Sequence, residues 1–241
     1  SSTSRGLGDV YKRQVDNDNN NFRDILIDKA LRHVVFDGWS DSMFSKVCLE
    51  LNLSKVQAQL FFPRGGVDMA LAFHERDDEI FQKAFSTVES NNSNNRVRDR
   101  IESAINFRLE VADKNKEAVR RSISVLTTPL YISEGSRALW KTSDNIWNSI
   151  GDNGYNLNWY SKRLILSSVY STVLIFWLED DSKNFVETRA FVQRRISDVM
   201  TVERVKGTIK RSPILGHIVE HFESLAAGLL CLLYTSDAAD E

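Results

Sequence analysis

Two histidines and a glutamate stand in the order His217-Ile218-Val219-Glu220-His221. This is the H-x-x-E-H arrangement, in which imidazoles one helical turn apart grip zinc and the carboxylate activates water. The pattern is short and brings no evident third ligand, so the polar side of an amphipathic helix is the simpler reading and a metal-dependent hydrolase the minor one. Other catalytic constellations are weaker still. Cys48 falls on an apolar helical face, no G-x-S-x-G or glycine-rich phosphate loop occurs, and the acidic run Asp77-Asp78-Glu79 reads as a solvated helix surface. No catalytic residue, metal or cofactor is assigned, and the residue types point to binding rather than to catalysis.

Aromatic residues carry more. The chain has 5 tryptophans and 13 phenylalanines, a heavy load of large apolar groups for a helical protein. Trp147 and Trp177 read as core. Trp159 differs, because it follows Gly151-Asp152-Asn153-Gly154, stands beside Tyr160 and precedes Arg163 by one turn. An aromatic pair with an arginine on adjacent helical positions is the composition of an interface hot spot, so Trp159, Tyr160 and Arg163 are candidate partner-binding residues.

The elements that must position these residues are helices throughout. There are only 3 prolines, and apolar residues recur at spacings of three and four. Phe22, Ile25, Leu26 and Ala30 line a first helix ending near His33, with Val34 to Trp39 as connector. Ser40 caps a second helix whose inner face holds Phe44, Val47, Cys48 and Leu51. Asn52-Leu53-Ser54 turns into a brief third helix, Lys55 to Phe61, stopped by Pro63. These three make a helix-turn-helix outline. A long fourth helix after Gly65-Gly66 carries Met69, Phe73, Ile80, Ala84 and Val88. The polar Asn91 to Asn95 tract reads as a loop. Helices follow over Arg96–Ala112, Lys116–Thr128, Ser133–Ile150 and Leu157–Leu178. The next buries Phe185, Val192, Ile196 and Val199 and ends at Gly207. After Pro213, the residues Ile214, Leu215, Ile218, Phe222, Leu225 and Leu229 form one apolar stripe, a candidate membrane-contact helix.

Composition sets the limits. Residues 1–14 and 231–241 look like translated sequencing adapters, so the natural sequence reads as residues 15–230, divided into 15–66 (helix-turn-helix subdomain), 67–206 (ligand-binding helices) and 207–230 (amphipathic helix). At 42% hydrophobic and 27% charged residues, the chain has the balance of a folded soluble protein. Cys231 lies in the adapter-like end, so Cys48 has no internal disulfide partner and a reducing compartment is allowed. The net charge of -2 gives no general attraction to polyanions. The longest apolar run, Leu164 to Leu178, falls short of the roughly 20 residues a membrane span needs and reads as a buried helix.

Charge also weighs against reading DNA. Between Ser40 and Gly66 the only cations are Lys46, Lys55 and Arg64, set against Asp41 and Glu50. Groove recognition needs several phosphate contacts around the reading helix. No nucleic-acid partner is expected, and a TetR-type transcriptional regulator sensing an apolar ligand is the alternative function.

Two groups of motifs go further. His33-Val34-Val35-Phe36-Asp37-Gly38-Trp39-Ser40 with Leu60-Phe61-Phe62-Pro63-Arg64-Gly65-Gly66, and then Asp144-Asn145-Ile146-Trp147, Gly151-Asp152, Asn158-Trp159-Tyr160-Ser161-Lys162-Arg163 and Arg194-Arg195-Ile196, resemble in order the signatures of the Coq-nine family of ubiquinone-biosynthesis accessory proteins. The likeness runs from about Phe22 to Lys206. It implies an all-α, TetR-like fold: a three-helix helix-turn-helix subdomain that has given up DNA binding, and a larger helical domain that binds lipid, isoprenoid-quinone intermediates among them. It implies docking of the di-iron demethoxyubiquinone hydroxylase on Trp159, Tyr160 and Arg163, and membrane contact through the terminal amphipathic helix. Asn156 departs from the family, which often has an acidic residue there.

The expected protein is therefore a non-catalytic lipid-binding accessory protein. Trp147, Tyr170, Val173, Leu174 and Trp177 would line the lipid site, and Ile214, Leu215, Ile218, Phe222 and Leu225 would touch the membrane. It would sit at the cytoplasmic side of the inner membrane in a bacterium, or on the matrix side in a mitochondrion. A homodimer is left open.

Overall fold

A computed structural model describes residues 21–89, 96–152 and 157–210. These fold as α1 (21–37), α2 (Asp41–Glu50), α3 (Lys55–Gln59), α4 (Gly66–Glu89), α5 (Val97–Asp113), α6 (Lys116–Leu126), α7 (Ile132–Ser149), α8 (Leu157–Leu178), a 3-10 turn at Lys183–Phe185 and α9 (Val186–Lys210). The described residues contain no strand.

Local chemistry starts and stops the small helices. Ser40 Oγ accepts from the Met43 amide at 3.1 Å, and Ser54 forms a reciprocal capping box with Gln57, so side chains answer one orphan donor at the first start and two at the second. The first helix runs past the expected stop at His33, burying Val34 completely, and ends at Gly38, whose φ of +63° belongs to glycine. Gly207 likewise lies inside α9 rather than at its end. The Asn91 to Asn95 tract, the Asn153 to Asn156 segment and everything after Lys210, including His217, Glu220, His221 and the membrane-contact candidates, lie outside the described residues.

The central element is α4, which packs against α5, α6 and α7, while α8 packs on α7 and α9. Its buried stripe is Met69, Phe73, Asp77, Phe81 and Phe85, a strict spacing of four on one helix face. The sequence reading drifted off this stripe to Ile80, which is exposed. The expectation of a wholly buried α8 also needs correction. One face buries Leu166, Tyr170, Val173, Leu174 and Trp177, and the other exposes Leu164 and Ile175.

The junction between the first three helices and the rest depends on close approach. Trp39 donates through Nε1 to the Ala118 carbonyl on α6 at 3.0 Å and packs on Phe73 with ring centroids 5.5 Å apart. Gly66 opens α4 directly beneath it, where a Cβ would stand 2.5 Å from the Trp39 carbonyl oxygen and 2.9 Å from that of Ser40. Backbone cannot yield as a side chain does. Gly66→Ala is therefore expected to destabilise the fold by about 1–3 kcal/mol, the scale of an overpacked core, read as a lowered urea midpoint. An unchanged midpoint would show that the junction relaxes freely.

Candidate functional site

Five helices leave a hollow between them. A cavity of about 240 Å³ lies among α4, α5, α6, α7 and α8. Ala112, Val119, Leu126, Leu139 and Leu174 supply much of its apolar lining. Thr127, Ile132, Ser136 and Ile175 line it and are themselves exposed, so the mouth lies between the start of α7 and the C-terminal end of α8. Phe73, Asp77, Arg108 and Tyr170 line it and are buried, so they form its deep side. An engineered apolar cavity of roughly 150 Å³ holds benzene. This one, at about 240 Å³, has room for a ring and a few further carbon atoms.

The deep side is polar, which the sequence reading missed. Asp77 and Asp78, expected on a solvated face, are 4% and 1% exposed. The reason is Arg108, which sits on the inner face of α5 among Ile101, Ala104, Ile105, Leu109 and Ala112 and must find its partner inside. Arg108 Nε donates to Asp78 at 2.7 Å. Asp78 also accepts from Thr142 Oγ1 at 2.8 Å and from Asn145 Nδ2 at 3.3 Å, so α4, α5 and α7 meet at one carboxylate. Because Thr142 spends its proton on Asp78, it accepts from His74 Nε2 at 2.8 Å. Burial lowers the His74 pKa, leaving that ring neutral at pH 7.

Asp77 has no such company. Its carboxylate is 3.6 Å from Arg108 Nη1, beyond hydrogen-bond reach, and it makes no hydrogen bond among the described residues. Burial pushes its pKa up to about 6, against the pull of Arg108 and Arg76. Burial likewise holds the Tyr170 hydroxyl at about 12, so it remains a donor. Arg108 Nη1 is buried without a hydrogen-bond partner.

A second feature lies at the start of α8. Trp159 and Tyr160 meet edge to face with centroids 4.7 Å apart, and Trp140 of α7 joins both at 6.0 and 6.3 Å. Tyr160 is 49% exposed and Trp159 half-buried. Arg163 is not on the surface: it is fully buried, with its guanidinium 3.9 Å from the Trp159 ring centre and pairing with Asp144. Its Nη2 also donates to Asn148 Oδ1 at 3.1 Å and to the Asp152 carbonyl at 3.3 Å. Arg163 therefore props the aromatic cluster from beneath. Trp140 was legible as its third member, since Trp140, Asp144 and Trp147 share one face of α7 at spacings of four and three.

Of the candidate lipid residues, Tyr170 and Leu174 line the cavity, whereas Val173, Trp177 and Trp147 pack elsewhere in the core. Trp147 instead donates to the Lys162 carbonyl at 3.2 Å and holds the α7–α8 corner. Between Ser40 and Gly66 every cation is engaged: Lys46 by Asp37, Lys55 by Asp41, and Arg64 by both Asp68 and Glu134, each at 2.7 Å. Val56 and Leu60 are exposed on or beside the would-be reading helix.

The arrangement, three short helices ahead of a helical bundle with a hollow centre, is that of a TetR-like all-α protein. It is similar to a solved TetR transcriptional regulator from Nitrosomonas europaea, with a TM-score of 0.59 and 18% identity over 74% of this chain and 97% of that one. Residues 132–203, spanning α7, α8 and most of α9, match the family model described as COQ9. The chain is 26% identical over 192 residues to the human ubiquinone biosynthesis protein COQ9, mitochondrial, covering 76% of this chain. It is 23% identical over 191 residues to the probable coq9 protein of Dictyostelium discoideum, covering 78%, and 24% identical over 186 residues to that of Schizosaccharomyces pombe, covering 77%. The matches span 60%, 62% and 72% of the human, Dictyostelium and fission-yeast proteins respectively. The chain is thus similar to COQ9 proteins over about three quarters of its length.

The Asp77 pKa fixes the sign of a pH effect. Between the ordinary 3.8 and about 6, the folded chain keeps a proton that the unfolded chain has lost, so this group's contribution falls as pH rises through that window and stays unfavourable above it. A shift of two units corresponds to roughly 3 kcal/mol. Asp77→Asn should raise the thermal midpoint at pH 7.5 and leave it near wild type at pH 4. A variant less stable at pH 7.5 would mean that the attraction to Arg108 outweighs the burial of Asp77.

Proposed function

We propose that this chain is a non-catalytic accessory protein of ubiquinone biosynthesis that shelters the ring end of an isoprenoid-quinone intermediate and presents it to the demethoxyubiquinone hydroxylase. The observation that carries the reading is the cavity: about 240 Å³, largely apolar, with a mouth to solvent, in a chain whose relatives are named ubiquinone biosynthesis proteins. A polyprenyl ring compound partitions into the bilayer, and exposing it to an enzyme costs about 25 cal/mol for each Å² of apolar surface wetted. A cavity that receives the ring removes much of that cost. The exposed Leu130, Ile132 and Ile175 at and beside the mouth give the first part of the tail an apolar path outward.

The docking surface in this reading is the cluster of Trp140, Trp159 and Tyr160, with Arg163 as its prop. Edge-to-face aromatic geometry and a buried arginine make a rigid patch, and rigid aromatic anchors lose little entropy on binding. No helix among the described residues is long and apolar enough to cross a membrane, so the lipid would be collected peripherally. The TetR-type regulator is disfavoured on charge, since the cations between Ser40 and Gly66 are already paired and exposed Val56 and Leu60 offer a groove nothing to read.

Two measurements test this reading. Mass spectrometry of lipid extracted from the purified protein should find a prenylated ring compound at near-stoichiometric amount; lipid-free protein would contradict it. Trp159→Lys should abolish co-purification of the hydroxylase while leaving helicity and bound lipid at wild-type levels. Retained co-purification would move the docking surface elsewhere.

A further inference from the structure

The deep side of the cavity holds three polar groups whose hydrogen-bonding capacity is unused. The Asp77 carboxylate and the Tyr170 hydroxyl make no hydrogen bond among the described residues, and Arg108 Nη1 is buried without one. Buried polar groups are almost always satisfied, and each one left over is destabilising. Asp78, the residue next to Asp77, shows what a structural carboxylate looks like here, with donors from three residues. Asp77 has none and instead borders empty space. Packing does not explain why Asp77 and Tyr170 line the same hollow without hydrogen bonds, and a ligand does.

We infer that this wall recognises an uncharged, hydroxyl-bearing ring at the end of an apolar chain, the hydroxyl donating to Asp77 and accepting from Tyr170. The inference rests on the lipid-sheltering reading above and specifies the ligand's head. Complementarity selects among apolar molecules. Asp77 accepts only, so the ligand must carry a donor, and a phenolic hydroxyl is a strong neutral one. Charge excludes a fatty acid. One buried guanidinium already faces two carboxylates, and the nearby Arg76 is engaged by Asp28 at 2.7 Å, so a third carboxylate would enter an uncompensated site. An oxidised quinone, with acceptors alone, would leave Asp77 unanswered. The preferred ligand is therefore a phenol or quinol.

The test compares 4-octylphenol, its methyl ether 4-octylanisole and nonanoate, titrated calorimetrically into lipid-stripped full-length protein at pH 7.5. Wild type should bind the phenol at least tenfold more tightly than the ether, the scale of one hydrogen bond to a charged acceptor, and the carboxylate more weakly still. In Asp77→Leu, which replaces an unanswered carboxylate by an apolar group of similar size, the phenol and ether should become equal. Tyr170→Phe should weaken the phenol several-fold and restore no affinity for the carboxylate. If phenol, ether and carboxylate bind wild type alike, or if Asp77→Leu keeps the discrimination, the wall is not the recognition site although the cavity still takes lipid. If none of the three binds, the lipid-sheltering reading fails together with this one.

Discussion

The buried pair of Arg108 with Asp78 is the constraint around which the molecule is arranged. Two charges removed from water are costly unless hydrogen bonds answer their remaining atoms. Here Thr142 and Asn145 of α7 converge on the Asp78 carboxylate while Arg108 reaches it from α5. Three helices are thereby held at a fixed distance with a polar group at their centre. Arg108 Nη2 reaches the His74 carbonyl at 3.5 Å, while Nη1 stands 3.6 Å from Asp77 without a hydrogen bond. A hollow results beside the pair instead of a close-packed core, and Asp77, one residue earlier on α4, faces it.

Much of the fold was legible because helix period and punctuation agree. The cap at Ser40 and both ends of α8 stood where the residues implied, and the Coq-nine motifs pointed to the family whose members the chain resembles. The errors have physical causes. The first helix outran its expected stop because Val34 is wanted by the core and the chain does not need to turn until Gly38. The acidic run was read as solvated because carboxylates usually are. The contrary signal, Asp77 at the four-residue spacing of Met69, Phe73, Phe81 and Phe85 with Arg108 on an apolar stripe of α5, needed two distant helices to be read together. Of the residues expected to line a lipid site, Tyr170 and Leu174 line the cavity. Val173, Trp147 and Trp177 were not cavity residues, because a hydrophobic pattern marks burial and cannot distinguish a cavity wall from solid core.

The two features of the proposed function share their supports. Leu139 lines the cavity and its neighbour Trp140 belongs to the aromatic cluster. On α8, Trp159 and Tyr170 are 11 positions apart, about 17 Å at the helical rise. A partner seated on the aromatic cluster would thus hold the same two helices that wall the cavity, at the opposite end of α8 from its mouth. The α7–α8 corner joining them is fixed by Arg163, Trp147 and Lys162, so little freedom remains between the two.

The central claim is that the hollow is there to be occupied. Its most direct test is to fill it from within by Leu174→Trp and measure bound lipid and thermal midpoint on the same preparation. If the cavity is a lipid site, the variant retains its fold with an equal or higher midpoint and loses its lipid. A variant that carries wild-type amounts of lipid would show that the ligand lies elsewhere and would contradict the account.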